Sequence, residues 1–357
     1  FFNLTDSNIT QPLTANNSFA VNGSLNVNGT NAFFAPVAGA VISGTGTLTG
    51  TGTARVTRTA ATADFLSQYT ITNKTLTTLT VEYIGTAAQV LSAFTFGPLK
   101  INNGNGVNLA AGTATVGGLL TLTSGALGVG NQILVLNDGS SVGAGSITSN
   151  PTGTVNYNQT GDGQNVRAFN YGNLTFSNFN KVLEPTGTIG ISGIFTPGTA
   201  TGHTITGSTV NFNGTGAQTV SAFNYNNLTI SGARGANNVT LANAGTIGVG
   251  GIFNPIATFA GGNYVITNST VDFNGSGSQT IPAFNYFNLT SSNTGARTLQ
   301  NSGIIGIASV FTPGTNVYTV TGSTVSYNGT SAQVLPSTFS PYFNLTSNNA
   351  AGVTGFA

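Results

Sequence analysis

Seven carboxylates (Asp6, Asp64, Glu82, Asp138, Asp162, Glu184 and Asp272), one histidine (His203) and eight Lys or Arg are all that this 357-residue chain offers to acid–base or ionic chemistry. Glycoside cleavage needs two carboxyl groups about 5 to 10 Å apart. No two of these acids are close in sequence, so only the stacking of distant segments could make such a pair. Glu82 and Asp272 share one slot of a repeated phrase that other copies fill with Asn156, Asn211 and Ser326. A slot that accepts Asn and Ser reads as a solvated strand face. His203, in ATGHTITG, has no acid near it in sequence and the chain has no Cys, so it reads as an exposed loop histidine. The GGxGxD calcium nonapeptide is absent, and LNDGSS (136 to 141) is a turn with one carboxylate. The sequence therefore assigns no catalytic, cofactor-binding or metal site and calls for no cofactor.

Three cations recur in step. Lys181, Arg234 and Arg297 fall eight, seven and nine residues beyond Asn173, Asn227 and Asn288. On a rod they are expected to form one positive charge per repeat along a single edge. Such a row either solvates a turn or docks an anionic glycan.

The elements that must carry these residues repeat as well. STVNFNGTGAQTVSAFNYNNLTISG (208 to 232) recurs from Ser269, from Ser323, in worn form from Gly153 and more faintly from Thr80. The first Val of each copy (Val81, Val155, Val210, Val271, Val325) gives successive offsets of 74, 55, 61 and 54 in the numbering. A second phrase, GTIGISGIFTPGT (187 to 199), recurs at 245 to 257 and 302 to 315. Such self-similarity marks arrays in which a repeat buries its apolar face only against its neighbours.

Alternation of period two is pervasive: Val210 and Phe212 point one way, while Thr209, Asn211 and Asn213 point the other. Helical spacing is nearly absent. Asn213-Gly214, Asn274-Gly275 and Asn328-Gly329 read as φ > 0 turn dipeptides, and Thr-Pro-Gly at 196 to 198 and 312 to 314 closes another strand. Each repeat reads as about six short strands. At about 54 to 61 residues it is too short for an immunoglobulin-type sandwich of roughly 100. The expected fold is all-β, a parallel β-helix of some 17 coils with about three coils of roughly 20 residues per repeat. Tandem small β-sandwiches are the alternative. Residues 1–150 keep the alternation but lose the clear repeat, and read as degenerate coils or a cap. Residues 151–357 read as regular coils.

Charged residues are 4% of the chain, against a usual value of about 25%, and the formal net charge is +1. A nucleic-acid partner would need clustered Lys and Arg. With 39% hydrophobic residues, 23 Phe and 10 Tyr, the chain has enough apolar surface to fold. No apolar run approaches the roughly 20 residues of a membrane helix. The chain begins at Phe1 with no signal-peptide pattern, and FFNLTDSN (1 to 8) matches YFNLTSNN (342 to 349), so it reads as a piece of a longer array. Asn-x-Ser/Thr triplets (Asn3, Asn173, Asn227, Asn274, Asn344) are what a chain rich in Asn and Thr makes by chance.

The phrases FNGTGAQTVSAFNYNNLTISG and GGLLTLTSGALGVGNQILVL resemble repeats of very large secreted surface proteins of Bacteroidetes, the class that includes gliding-motility adhesins and other type 9 secretion cargo. Similar low-charge repeats occur in filamentous-haemagglutinin-like adhesins. The resemblance implies a non-enzymatic, extracellular, cell-surface adhesin that forms a rod or fibre. The implied partners are copies of itself, or continuation into a longer chain, and surface glycans. A self-polymerising filament subunit is the alternative. A polysaccharide-acting or ice-binding β-helix, the latter suggested by GTGTLTGTGTARVTRT (44 to 59), fits less well, since the clear repeats keep no single Thr position.

Overall fold

A computed structural model describes residues 1–60, 62–339 and 341–355. The chain is a parallel β-solenoid of about 17 turns, as the alternation predicts. Its residues group into two compact units, 1–182 with 198–200, and 183–197 with 201–357.

In the first unit, short strands stack on three faces. One face runs Leu13–Ala15, Phe33–Pro36, Thr53–Val56, Thr80–Tyr83, Leu99–Asn102, Leu120–Ser124, Ser140–Val142. Val81 faces Leu99, Leu99 faces Leu120 and Leu120 faces Ser140. A turn of the winding therefore takes about 20 residues here, the length of a short solenoid repeat. Every second side chain enters the core: Leu99 and Ile101, Ala114 and Val116, Leu134 and Leu136 are all buried. Residues before 150 follow the same parallel winding. Their one helix among the described residues, Asp64–Gln68, sits in an enlarged turn, and Thr53–Val56 still pairs directly with Thr80–Tyr83 across it.

The second unit shows how the repeat maps onto the winding. Starting at Thr209–Phe212, the strands are Gln218–Val220, Asn224–Tyr225, Asn227–Ile230, Val239–Leu241, Ile247–Val249, Phe253–Pro255 and Tyr264–Val265; the next copy then begins at Thr270–Phe273. Thr209–Phe212, Asn227–Ile230 and Phe253–Pro255 lie on one face. Thr270–Phe273 does not join them. It pairs with Ile247–Val249, on the face begun by Asn224–Tyr225. Eight strands on three faces make 2⅔ turns, not the expected three, so the phrase moves to another face at every copy. Thr324–Tyr327 repeats the shift by pairing with Ile305–Ile307.

The same count explains the uneven period. Counted from Thr80–Tyr83, eleven strands precede Thr154–Tyr157 in the first unit, which is 3⅔ turns. The longest offset, Val81 to Val155, thus exceeds the shortest, Val271 to Val325, by one whole turn. Whole-turn insertions preserve every inward and outward assignment, whereas a one-residue slip would invert them.

Aromatic side chains fill the second unit's core in a repeated arrangement. Phe253 meets Phe284 at 5.4 Å and Phe284 meets Tyr286 at 5.1 Å; one repeat earlier, Phe195 meets Phe223 at 5.3 Å and Phe223 meets Tyr225 at 5.0 Å. These edge-on contacts add to the apolar burial. The Tyr of each Phe-Asn-Tyr phrase, one in the first unit and two in the second, donates its hydroxyl to the carbonyl four residues back: Tyr171 to Arg167, Tyr225 to Ser221, Tyr286 to Pro282.

Candidate functional site

Four carboxylates, Glu82, Asp272, Asp64 and Asp162, are engaged in local structure. Glu82 lies in its predicted strand slot, but that slot is not solvated: its side chain is 0% exposed. The slot is closed by salt bridges to Arg55 on the preceding turn (2.8 Å) and Lys100 on the following one (2.9 Å), with Asn102 Nδ2 adding a hydrogen bond at 3.2 Å. Arg55 in turn covers the Phe33 ring at 4.3 Å. Burial pushes the Glu82 pKa up, but the hydrogen bonds and charges of Lys100 and Arg55 outweigh it and hold it below the ordinary value. The cations alternate in sign with the acid along the stack, which avoids the repulsion of like charges one turn apart.

Asp272 occupies the same slot in the open and accepts from Ser292 N (2.9 Å) and Oγ (2.6 Å). Asp64 is buried and takes backbone N–H groups of Ala60 (2.9 Å) and Val90 (2.7 Å); burial raises its pKa. Asp162 accepts from Asn180 N at 2.7 Å. Among the described residues, no group of three or more His, Cys, Asp or Glu could hold a metal. His203 is not a free loop side chain. It is half-buried, with its ring 5.1 Å from that of Phe223.

The built site is the inner corner after each TVxF strand, formed around a glutamine present in all five copies: Gln89, Gln164, Gln218, Gln279, Gln333. Each is buried. Its Nε2 donates to two backbone carbonyls of the preceding turn: Gln218 to Ile191 and Gly193 (2.7 and 2.9 Å), Gln279 to Val249 and Gly251 (2.8 and 2.9 Å), Gln333 to Ile307 and Ser309 (both 2.9 Å). Its Oε1 accepts the N–H of the Asn-Gly glycine, Gly214 at 3.3 Å, Gly275 at 2.8 Å and Gly329 at 2.9 Å. Orphaned buried carbonyls and amides are costly, and one side chain satisfies three at the point where the strand ladder stops.

Those glycines do not have the predicted positive φ; the Thr-Pro-Gly glycines do, at φ 73° for Gly198 and 64° for Gly314. Gly214, Gly275 and Gly329 are needed for close approach instead. A Cβ would lie 2.3 Å from Ser192 O, 2.1 Å from Gly250 O and 2.2 Å from Ala308 O.

The recurring cations complete this corner, which corrects both expectations for them. Lys181, Arg234 and Arg297 are 0%, 1% and 0% exposed, so they neither solvate a turn nor form a row for an anion. The face shift also denies Arg234 and Arg297 a shared edge. Arg234 donates through Nη1 to Gln218 Oε1 (2.8 Å) and Gly216 O (3.2 Å), and through Nη2 to Phe212 O (2.7 Å) and Ser231 O (2.8 Å). Arg297 donates to Phe273 O (2.8 Å), Gly275 O (3.0 Å), Ser292 O (2.9 Å), Gly277 O (3.2 Å) and Ser291 Oγ (2.8 Å). These hydrogen-bond partners are all neutral. Burial lowers both guanidinium pKa values, yet arginine stays charged. Lys181 Nζ donates to Ser177 Oγ at 2.8 Å.

In two copies an amide replaces the cation. Asn103 Nδ2 reaches Ala87 O (2.8 Å) and Gln89 Oε1 (3.0 Å), and Asn349 Nδ2 reaches Ser331 O (2.6 Å) and Gln333 Oε1 (2.8 Å). The position demands an N–H donor to carbonyls, and charge is incidental.

Sequence reasoning missed the glutamine, although its presence in every copy of an otherwise drifting phrase was the available signal. The corner binds turn to turn. Compared with protein-family models, curated proteins and solved structures, the chain matches none of them.

Proposed function

We propose that the chain is a non-enzymatic, extracellular structural and adhesive repeat protein that builds a rod or fibre at a bacterial cell surface. The observation that carries this reading is the recurring corner, in which conspicuous polar and cationic side chains are consumed in holding successive turns together. An enzyme of this size would be expected to leave some of that chemistry facing a cleft. Outward positions carry mainly neutral Asn, Thr and Ser that bond from turn to turn, such as Ser231 Oγ to Asn211 Oδ1 at 2.9 Å and Thr152 Oγ1 to Asn131 Oδ1 at 2.9 Å. The likeness to secreted surface repeats of Bacteroidetes supports the location and the type 9 route. The face shift supports a contact surface distributed around the solenoid: Ile252 and Val310, 65% and 53% exposed, stand at one repeat position on different faces.

Immunogold labelling of intact cells, with negative-stain imaging of the native object, tests this reading. Label along thin surface fibres is the expected result. Label confined to the cell interior, or turnover of a polysaccharide by the purified chain, would overturn it. The native mass separates a segment of one giant chain from a polymer of small subunits.

A further inference from the structure

Seven Asn-Gly pairs occur in the chain, at Asn22, Asn28, Asn103, Asn105, Asn213, Asn274 and Asn328. Asn-Gly is the dipeptide most prone to self-modification, because glycine's lack of a side chain lets its backbone nitrogen reach the preceding amide carbon. The glycine N attacks Asn Cγ, a new C–N bond closes a five-membered succinimide, and the Cγ–Nδ2 bond breaks. Ammonia leaves, carrying off the glycine N–H proton. Water then opens the ring at either carbonyl, giving aspartate or isoaspartate. Water is the only co-reactant. The reaction needs a free glycine N–H and a mobile Asn side chain.

The repeat corner withholds both. Gly275 N and Gly329 N donate to the buried Oε1 of Gln279 and Gln333 at 2.8 and 2.9 Å, and Gly214 N donates to Gln218 at 3.3 Å. The asparagine amides are pinned as well. Asn274 Nδ2 reaches over Gly248 to Asn224 Oδ1 at 3.2 Å, and Asn328 Nδ2 reaches over Gly306 to Asn285 Oδ1 at 3.3 Å. Conversion to aspartate would set a carboxylate against a carbonyl oxygen, acceptor against acceptor.

Outside these repeats the protection is uneven. Gly23 N and Gly106 N are held by backbone carbonyls, Phe2 O and Asn103 O, and Asn103 is buried with its own amide committed. Asn28 is exposed. Among the described residues, Gly29 N meets only the exposed Thr51 hydroxyl, at 3.1 Å, and the same hydroxyl is the one partner of the Asn28 side chain, at 3.2 Å.

We propose that Gln218, Gln279 and Gln333 shield the Asn-Gly pair of their own repeat from succinimide formation, and that Asn28 is the site where the folded chain modifies itself first. The shielding suits a protein that persists outside the cell, and the inference stands on the corner geometry whether or not the adhesive reading holds.

The test is peptide mass spectrometry of the intact chain during incubation at mildly alkaline pH, folded and in urea. Folded, Asn28 should convert about tenfold faster than Asn274 and Asn328, and urea should bring all three close together, since protection then vanishes with the structure. Gln279→Met, whose thioether is too weak an acceptor to hold Gly275 N as the amide does, should raise conversion at Asn274 while leaving Asn328 unchanged. Tyr286→Phe perturbs the same repeat but keeps the shield, and should leave Asn274 slow. Equal rates at Asn28, Asn274 and Asn328 in the folded chain would overturn the proposal. So would a rise at Asn274 in Tyr286→Phe as large as that in Gln279→Met.

Discussion

The corner at Gln89 and the corner at Gln279 solve one backbone problem with different charges. In the first unit, Asn103 supplies neutral donors, and the charges nearby sit on the outer face, where Arg55, Glu82 and Lys100 alternate. In the second unit, Arg297 places a full positive charge inside the wall, with neutral carbonyls as its hydrogen-bond partners. The corner therefore selects for donors directed at carbonyls. A buried guanidinium is tolerated because nearly every N–H it carries has an acceptor, which offsets its desolvation.

The largest loss is expected at Arg297. Arg297→Ala strands the carbonyls of Phe273, Gly275 and Ser292 and opens a void, and should cost about 3 to 5 kcal/mol in urea unfolding. Asn103→Ala should cost about 1 to 3 kcal/mol, because fewer acceptors are stranded. Equal losses at the two corners would contradict the dependence on donor count.

Gly275→Asn comes next, at about 1 to 3 kcal/mol, the range for forcing atoms into a packed interior. Asparagine is the residue that a positive-φ turn would tolerate. Here its Cβ would collide with Gly250 O, so Asn and Ala should be equally damaging; a clear advantage of Asn over Ala in midpoint denaturant concentration would restore the turn explanation.

On the outer face, Glu82→Gln should cost about 1.5 to 3 kcal/mol, the range for hydrogen bonds to charged groups. Its effect carries a pH signature. The folded pKa of Glu82 is depressed, so its contribution is fully present above the ordinary value of 4.5 and lost as pH falls from there through the folded value. The wild type should therefore lose stability across that acid window more steeply than Glu82→Gln. Parallel pH profiles would contradict the pairing. Smallest of all, Tyr225→Phe removes one buried hydroxyl and its bond to Ser221 O, for about 0.5 to 1.5 kcal/mol.

The winding was legible because period-two alternation and turn spacing are local signals. Val210, Phe212, Leu228 and Ile230 point inward as their spacing demands. The corner was not, because a glutamine in a run of Gly, Thr and Ser does not announce that it points inward. Arg234 and Arg297 were misplaced for a related reason: long cations are seldom fully buried, and no acidic partner in sequence hinted that carbonyls would serve instead. The 2⅔-turn repeat was hidden by arithmetic. The spacing of Val210, Val271 and Val325 divides into three shorter turns almost as well as into 2⅔ longer ones, and only the pairing partners separate the two.

Those partners provide the most direct measurement. Backbone NOEs in a chain labelled over 245–275 should connect Ile247–Val249 with Thr270–Phe273 and be absent between Phe253–Pro255 and Thr270–Phe273. Contacts in the second set without the first would mean a whole number of turns per repeat, and the shift of the phrase from face to face would be wrong.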